Sequence, residues 1–457
     1  MKDVTQMTLA GHMRGLLRLG LPLIGGHLAQ FAIGLTDAIM LGWYGVSELA
    51  ALTLANGYFF TFFLVGSGFA WAVMPLVASF AAEDDQIMIR RATRMALWLS
   101  ILFFLAALPL MLISDPVLRA LGQSPDLAAL AQSYLRIAGW GLLPALGVMT
   151  LKSYLAGLER TRVILAITVL AALANAALNY VLIFGHFGAP ELGIAGAAIA
   201  SLATHTLSLA GVVIYARWAL PQHDLFGRFW RADTEMLARV FRLGWPIGLT
   251  SLSEVGLFVM AALMVGWLGT VPLAAHGIAL QCASATFLVH LGLANAATVR
   301  TGSAFGRGDR DALARGGLAA ALLSVGIASV TIVVFLTMPE LLLTAFLNRG
   351  DADYAAILAI GVQLLALAAV FQLVDGGQVV ALGLLRGVQD TRVPMILAAV
   401  AYWGIGLPVS YGLGFGLDWG AAGVWAGLVS GLATASVLLA ARFVSRLRSG
   451  TGVSVAG

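Results

Sequence analysis

Apolar stretches long enough to cross a bilayer fill most of this sequence, and they leave little room for any other fold. Twelve of them reach the roughly 20 residues that a helix needs to span about 30 Å of hydrocarbon. They lie near residues 17–42, 49–80, 94–114, 128–151, 162–185, 193–217, 243–267, 273–305, 316–338, 355–384, 393–414 and 420–442. Only 11% of the residues are charged, which is too few to cover the surface of a soluble protein of this size. We therefore expect an all-α membrane protein with twelve transmembrane helices.

Positive charge predicts the orientation of these helices. About 23 of the 26 Lys and Arg residues fall on the side that carries both chain termini, and the exceptions are Arg119, Arg136 and Arg349. An excess of Lys and Arg marks the cytoplasmic side of a membrane protein. The sequence therefore predicts that both termini are cytoplasmic.

Several functional classes lack their characteristic motifs. The basic residues separate apolar blocks and form no patch, so nucleic-acid binding is not expected. The single Cys282 excludes an intrachain disulfide framework and a cysteine-based metal site. We find no phosphate-binding Gly-Lys-Ser/Thr loop, no His-Glu-x-x-His and no Gly-x-Ser-x-Gly. The sequence thus predicts neither an enzyme nor an ATP-driven pump, and we expect no cofactor beyond a coupling ion.

An internal repeat divides the chain. Arg18–Pro22 matches Arg242–Pro246, and further identities follow in both segments at the same constant offset in the numbering. The longest hydrophilic segment separates the two copies. We therefore predict an N-terminal six-helix lobe over residues 1–217, a cytoplasmic linker over 218–242 and a C-terminal six-helix lobe over 243–457. Two pseudo-symmetric lobes of this kind are expected to enclose a cavity between them.

Three carboxylates inside predicted helices are the main functional signal. Asp37 lies in the first helix, Glu254 in the seventh and Asp375 in the tenth. Placing a carboxylate at the centre of a transmembrane helix costs roughly 2.5–3.5 kcal/mol, so each is expected to meet a cavity, a cation or a proton. The repeat places Gln30 where Glu254 stands and Ala261 where Asp37 stands. The acids are therefore distributed unequally between the lobes.

Polar neighbours can complete a cation shell around these acids. Hydroxyl and amide oxygens suit a hard monovalent cation, whereas a lone carboxylate suits a proton. The candidates are Thr36, Asn175, Asn179 and Ser201 for Asp37, and Ser251, Ser253 and Gln372 for Glu254 and Asp375. Asn175 and Asn179 share one helix face, and hydrogen bonding between helices is an equally good interpretation of that pair. Phe258 follows Glu254 by one helical turn, which allows a cation–π contact or simple packing.

Several segments resemble the MATE (multidrug and toxic compound extrusion) transporters, specifically the NorM-type branch. The similarity covers nearly the whole chain. It is carried by the Arg-Leu-Gly-x-Pro openings of both lobes, the x-Gly-Trp-x-Gly segments, Asn175–Asn179 and Leu385–Arg392. Asp37, Glu254 and Asp375 are similar in position to the acids of that branch.

The resemblance implies export of cationic, amphipathic drugs and dyes in exchange for Na⁺ or H⁺, across a bacterial inner membrane. It implies a Na⁺ site at Glu254 and Asp375, with Phe258 nearby. It also implies a coupling site at Asp37 with Asn175 and Asn179, and substrate contacts at Gln30, Phe258 and Asp37. Some relatives carry an aspartate where Asn179 stands, so this chain has one acid fewer there. We expect a monomer in the bilayer.

Two other functions fit a twelve-helix membrane protein. A flippase for a lipid-linked oligosaccharide of similar architecture needs basic residues for a pyrophosphate, but the Arg residues here lie at the helix ends while the deep charges of the helices are acidic. A channel or structural protein fits twin six-helix repeats with intramembrane acids less well than alternating access does.

Overall fold

The computed structural model describes residues 7–347 and 352–449, and this part of the chain is helical with no β-strand. The helices, in chain order, are α1 (Leu9–Tyr44), α2 (Val46–Ala82), α3 (Gln86–Leu112), α4 (Ser114–Ala120), α5 (Pro125–Ala138), α6 (Leu142–Gly157), α7 (Thr161–Phe184), α8 (Gly193–Ala219), α9 (Thr234–Trp267), α10 (Thr270–Gly306), α11 (Arg310–Thr337), α12 (Pro339–Thr344), α13 (Tyr354–Gly387), α14 (Arg392–Ala399), α15 (Leu407–Tyr411) and α16 (Gly420–Ser449).

The described residues contain twelve helical segments long and apolar enough to cross a membrane, which confirms the predicted number. Ten are single helices, while the fourth combines α5 and α6 and the eleventh runs over Arg392–Gly416. The eleventh contains two π-helical stretches, Val400–Gly406 and Gly412–Gly416, on either side of α15. Arg349, one of the three Arg residues predicted on the far side, lies outside the described residues.

Two helices following tight turns begin with the same cap, one in each copy of the repeat. The Asp85 carboxylate accepts a hydrogen bond from the Met88 backbone N–H at 2.9 Å, at the start of α3. Asp309 accepts one from Ala312 at 2.9 Å, at the start of α11. Such caps satisfy N–H groups that have no partner inside the helix. The offset of the repeat pairs Asp85 with Asp309, so the repeat extends to the chemistry of the helix ends.

The described residues form two compact units, whose limits fall inside α1 and α9. One unit is Gly25–Gly248, and the other is formed by the described residues of Met1–Ile24 and Leu249–Gly457. The lobes defined by the sequence repeat and these units therefore differ at the first part of α1 and the first part of α9. The assignment of residues 1–217, 218–242 and 243–457 as lobes and linker stays a prediction.

Glycine permits one close helix crossing within each unit. A Cβ added at Gly68 on α2 would collide with the backbone of Gly244 and Gly248 on α9. A Cβ added at Gly292 on α10 would lie 2.8 Å from the backbone nitrogen of Ile24 on α1. The offset of the repeat pairs Gly68 with Gly292, and Ile24 with Gly248. Both crossings thus belong to the repeat, and each needs a residue without a side chain so that the backbones can approach.

The hydrophilic linker packs against α3 inside the Gly25–Gly248 unit. Arg91 donates to the Asp233 carboxylate, with an Nη2–Oδ1 distance of 3.2 Å. The Arg94 guanidinium donates to the Leu225 carbonyl at 2.6 Å, and the Trp98 indole donates to the Phe229 carbonyl at 2.9 Å. Charged and polar side chains therefore hold the linker to α3, and the buried His223 ring of the linker also hydrogen-bonds the Tyr154 hydroxyl of α6.

Candidate functional site

Asp37 is the centre of a hydrogen-bonded cluster in the Gly25–Gly248 unit. Its side chain is buried on α1, with 5% of its surface exposed. The Asn179 amide on α7 donates to Oδ1, and the Ser201 hydroxyl on α8 donates to Oδ2 at 3.3 Å. Both carboxylate oxygens are thus supplied with donors by neighbouring helices, which lowers the free-energy penalty of burying this charge.

The two asparagines of α7 act as one unit. Asn179 also donates to the Asn175 side-chain oxygen at 3.2 Å, which orients the amide that reaches Asp37. Both asparagines are fully buried. The Thr36 hydroxyl donates to the Ala32 carbonyl of its own helix at 2.8 Å. That its oxygen joins Asp37 in a cation shell stays a prediction. A threonine hydroxyl in a helix commonly bonds the carbonyl four residues earlier.

Tyr134 and Asn56 extend this cluster, and no spacing in the sequence links them to Asp37. The Tyr134 hydroxyl donates to the Asn56 side-chain oxygen at 3.3 Å. Tyr134 is almost fully buried and interacts electrostatically with Asp37. The polar groups around Asp37 therefore come from five helices: α1, α2, α5, α7 and α8.

Glu254 and Asp375 form a second acidic cluster in the other unit. Glu254 on α9 accepts a hydrogen bond from the Gln378 amide of α13, with an Nε2–Oε1 distance of 3.3 Å. Asp375, one turn earlier on α13, is buried with 1% of its surface exposed and interacts electrostatically with Glu254. The structure thus brings together the two acids that the sequence predicted as a pair.

Buried oxygens without donors are more numerous in this second cluster than around Asp37, where Oδ1 of Asn179 is also without a partner within the described residues. Oδ1 of Asp375, Oε1 of Gln372 and Oε1 of Gln378 are all buried and have no hydrogen-bond partner within the described residues. Gln372 uses its amide nitrogen elsewhere, donating to the Ala283 carbonyl at 3.1 Å. A buried polar atom without a partner costs about 1–3 kcal/mol. Three acceptors spaced along one face of α13 therefore favour a bound cation or a ligand that donates hydrogen bonds.

The π-helical stretch Val400–Gly406 adds an aromatic wall. Tyr402 is fully buried, its hydroxyl has no partner within the described residues, and it interacts electrostatically with both acids of the cluster. The neighbouring Trp403 donates its indole N–H to the Ser253 hydroxyl at 2.8 Å. The role of Ser253 beside the acids stays a prediction. A π-helical turn widens the helix and is frequent at functional sites.

A positive charge lies within electrostatic range of one acid of this cluster, Glu254. The Arg386 guanidinium, near the end of α13, interacts electrostatically with Glu254 and Tyr402. Glu254, Asp375 and Arg386 together carry a formal charge of −1 when both acids are ionised. Within the described residues no group of three or more His, Cys, Asp and Glu side chains could hold a metal ion. The oxygens of Glu254, Asp375, Gln372 and Gln378 are the ligand type that a hard cation prefers.

Aromatic rings lie beside these acids. Phe258 packs edge-on against Phe371 at 5.9 Å between ring centroids, and Phe371 packs against Trp425 at 5.7 Å. Phe371 lies one turn before Asp375 on α13, and Phe258 lies one turn after Glu254 on α9. Gln30 is exposed on α1, in the Gly25–Gly248 unit. A contact of Gln30 or Phe258 with substrate stays a prediction.

Sequence reasoning missed Gln378, Tyr402 and Arg386. Gln378 had a usable signal, because it follows Asp375 by three residues and so shares its helix face. Tyr402 had none, since the register of a π-helix cannot be inferred from a period of 3.6 residues. Arg386 was interpreted as one of the cytoplasmic positive charges.

Comparison with known proteins agrees with this architecture. The MatE family model matches residues 22–181 and 246–412, and the two matched segments begin at residues that the repeat pairs with one another, Pro22 and Pro246. A "Probable multidrug resistance protein NorM" of Rhizobium meliloti (strain 1021) is 47% identical over 439 residues, covering 96% of this chain and 94% of the relative. The protein of the same name from Synechocystis sp. (strain ATCC 27184 / PCC 6803 / Kazusa) is 36% identical, covering 94% of each chain.

Solved structures share the fold. A MATE transporter in its bent conformation aligns with a TM-score of 0.87 at 19% identity, covering 99% of this chain and 98% of that one. A multidrug resistance MATE family transporter in an outward-facing conformation aligns with a TM-score of 0.86 at 20% identity, covering 98% and 99%. The sequence match over both repeats and the twelve membrane-spanning helices lead to one conclusion: this chain is a multi-pass membrane protein of the MATE transporter family.

Proposed function

We propose that this protein is a secondary active multidrug efflux antiporter, which exports cationic amphipathic compounds in exchange for Na⁺ bound at Glu254 and Asp375. The names of its relatives support multidrug export. The intramembrane acids support a cationic cargo, because a buried carboxylate is stabilised by positive charge. We further propose a monomer in a bacterial inner membrane, with both termini on the cytoplasmic side.

The excess of buried acceptors around Asp375 is the observation that carries the choice of ion. A Na⁺ ion attracts several oxygens at once, and three buried side-chain oxygens here have no donor within the described residues. A proton on one carboxylate provides a single O–H donor, which leaves the other acceptors unsatisfied. The donor-poor environment therefore favours Na⁺ over H⁺ at this cluster.

Charge balance suggests how exchange follows. With Glu254, Asp375 and Arg386 ionised, the cluster carries −1, and one monovalent cation neutralises it. A second cation bound at the same time would leave an unpaired positive charge in a low-dielectric environment, which is costly. Na⁺ and a cationic drug therefore exclude one another. Exclusive binding at one site, combined with alternating access, is sufficient for antiport.

The aromatic rings suit the apolar part of such a cargo. Phe258 and Phe371 lie one turn from Glu254 and Asp375 along their helices, so a cation held by the acids would meet rings nearby. Aromatic faces attract organic cations and also bury apolar surface. Aromatic rings can therefore bind substrates of different shapes, because neither interaction requires a particular one. This agrees with a multidrug role.

Transport from proteoliposomes tests this function. We expect an imposed Na⁺ gradient, at equal pH on both sides, to drive movement of ethidium, and a K⁺ gradient of the same size to fail. Asp375→Asn should abolish the Na⁺-driven component, whereas Asp126→Asn, which removes an exposed acid on α5, should leave it unchanged. Ethidium movement driven only by a pH gradient would refute Na⁺ coupling but keep antiport. No gradient-driven movement of any cationic dye would refute the proposed function.

A further inference from the structure

An apolar groove runs between α7 and α8 on the surface of the Gly25–Gly248 unit. It has a volume of about 420 Å³, and its walls include Val163, Ile167, Gly211, Ile214, Tyr215 and Trp218. The groove lies where α7 begins and α8 ends, next to the hydrophilic linker. Under the predicted orientation this is the cytoplasmic leaflet.

Gly211 forms the floor of this groove. A Cβ built at this position meets no atom within 4 Å, so the space above it is open. On the same face of α8, Ile214 is 60% exposed and Trp218 is 89% exposed. Because both helices are membrane-spanning segments, these apolar surfaces face lipid rather than water. An extended hydrocarbon chain fits a groove of this shape and composition.

Basic residues neighbour the groove-lining residues in the sequence, at the predicted cytoplasmic ends of α7 and α8. Arg162 directly precedes Val163 at the start of α7, and Arg160 lies two residues earlier. Arg217 directly precedes Trp218, with its guanidinium 5.4 Å from the centre of the Phe226 ring. With Glu159, the formal charge of these groups is +2. Arginines next to an apolar groove at the cytoplasmic surface are typical of sites for anionic lipid headgroups.

The start of α7 offers a second feature for an anion. Arg160 stands at its N-cap position and makes no side-chain cap hydrogen bond. The first N–H groups of a helix lack partners within the helix and favour a negatively charged group, such as a phosphate. Tyr215 and Trp218 are residue types that prefer the interface between hydrocarbon and headgroups.

We propose that this groove binds an anionic phospholipid of the cytoplasmic leaflet. One acyl chain lies over Gly211 between α7 and α8, and the phosphate lies at the start of α7 beside Arg162 and Arg217. A cationic amphiphile fits the apolar walls but is repelled by the positive charge at the mouth. Because α7 and α8 also carry Asn179 and Ser201, a lipid that fixes these two helices stabilises the environment of Asp37. This inference does not depend on the proposed transport function.

Lipid-induced thermal stabilisation tests the proposal. The full-length protein in detergent is heated with added phosphatidylglycerol or with phosphatidylcholine of the same acyl chains. Since a ligand that binds the folded state raises Tm, phosphatidylglycerol should raise it more than phosphatidylcholine. Gly211→Leu fills the groove and should at least halve this difference, as should the combined Arg162→Gln and Arg217→Gln substitutions.

Matched controls exist in the other unit. Gly326 on α11 is also exposed with open space above it, and Arg310 also opens a membrane-spanning helix. Gly326→Leu and Arg310→Gln should keep the full effect of phosphatidylglycerol. Native mass spectrometry of the same variants counts retained lipid and does not depend on their baseline stability. The proposal would be overturned if the two lipids had equal effects, or if Gly211→Leu retained phosphatidylglycerol fully. It would also be overturned if tetraphenylphosphonium stabilised the protein and Gly211→Leu removed that stabilisation.

Discussion

The two acidic clusters differ in what surrounds the carboxylates rather than in how deeply these are buried. Asp37 has a hydrogen-bond donor for each of its oxygens, from Asn179 and Ser201. Asp375 lies among buried acceptors and keeps one oxygen without a partner within the described residues. Hydrogen-bond donors lower the free-energy penalty of a buried carboxylate, whereas a carboxylate among acceptors is stabilised only by a cation or a proton.

The comparison teaches that a repeated backbone can hold two sites with different chemistry. The repeat-equivalent caps at Asp85 and Asp309 and the glycine crossings at Gly68 and Gly292 show that the framework is shared. The acids are not shared, since Gln30 occupies the position equivalent to Glu254. We infer that the framework provides alternating access in both halves, while ion coupling is concentrated in the half that contains Asp375.

Removing one acid from each cluster should produce the largest difference. Glu254→Gln leaves its cluster without net negative charge, so a bound Na⁺ would be an unpaired buried charge, at a cost of about 3–5 kcal/mol. We therefore expect Glu254→Gln to raise the half-saturating Na⁺ concentration for ethidium efflux by more than a hundredfold. Asp37→Asn should change it by less than threefold, even if the overall rate falls. Initial rates at graded Na⁺ concentrations measure both values, and equal shifts would remove the distinction between the clusters.

The glycine crossings should respond alike, because they belong to the framework. Gly68→Ala and Gly292→Ala each place a methyl group against the backbone of a neighbouring helix. Overpacking of this kind costs about 1–3 kcal/mol. We expect both variants to lower the thermal unfolding midpoint in detergent by similar amounts, while Gly326→Ala, where the space is open, does not lower it. A loss at one crossing only would show that the two halves are not mechanically equivalent.

The amides beside the acids should differ in their effect on Na⁺ activation rather than on stability. Asn179→Ala and Gln378→Ala each remove the donor to a carboxylate inside a membrane-spanning helix, which costs about 1–3 kcal/mol of stability. We expect both variants to lower Tm and Gln378→Ala alone to weaken Na⁺ activation. Weaker Na⁺ activation in Asn179→Ala alone would assign the cation to Asp37.

The smallest effect is expected for the docking of the linker, whose free energy depends on pH. The Arg91 guanidinium holds the pKa of Asp233 below its usual 3.8, so this contact contributes fully above that value and is lost as the pH falls through the lowered pKa. Burial lowers the pKa of His223 from its usual 6.5. Between the lowered pKa and 6.5 the undocked linker binds more protons, so docking weakens as the pH falls below 6.5.

Hydrogen exchange over residues 220–233, corrected for the intrinsic effect of pH, measures this docking. We expect faster exchange at pH 5.5 than at pH 7.5. The free energy of docking should differ by no more than about 1.4 kcal/mol per unit of pKa change. His223→Gln should remove the difference in this range. An unchanged pH dependence in that variant would assign it to another group.

The sequence predicted more of the framework than of the sites. Hydrophobic length alone indicated twelve helices, because only helices satisfy every backbone group inside a bilayer. The Asn175–Asn179 spacing correctly placed both amides on one face, next to Asp37. The sequence did not show where the Thr36 hydroxyl donates, because an intrahelical carbonyl is always within reach of a threonine hydroxyl. A contact of its oxygen with a cation stays a prediction.

Contacts set by irregular helices could not be predicted. Tyr402 and Trp403 lie in a π-helical stretch, which sets the directions of their side chains and which no residue pattern predicted. The division of α1 and α9 between two compact units was equally hidden, because hydropathy indicates the length of a helix and not its neighbours. The acceptors without partners around Asp375 required coordinates, since their environment depends on where the amide nitrogens point.

The central claim is that the cluster at Asp375 binds the coupling cation and the cluster at Asp37 does not. The most direct measurement is the change in Tm of the purified protein on replacing K⁺ with Na⁺ at constant ionic strength and pH, since only a bound ion stabilises the folded state selectively. The account predicts that Na⁺ raises the Tm of the unmodified protein and of Asp37→Asn, and has no effect on Asp375→Asn. A Na⁺ effect that survives in Asp375→Asn and disappears in Asp37→Asn would contradict it.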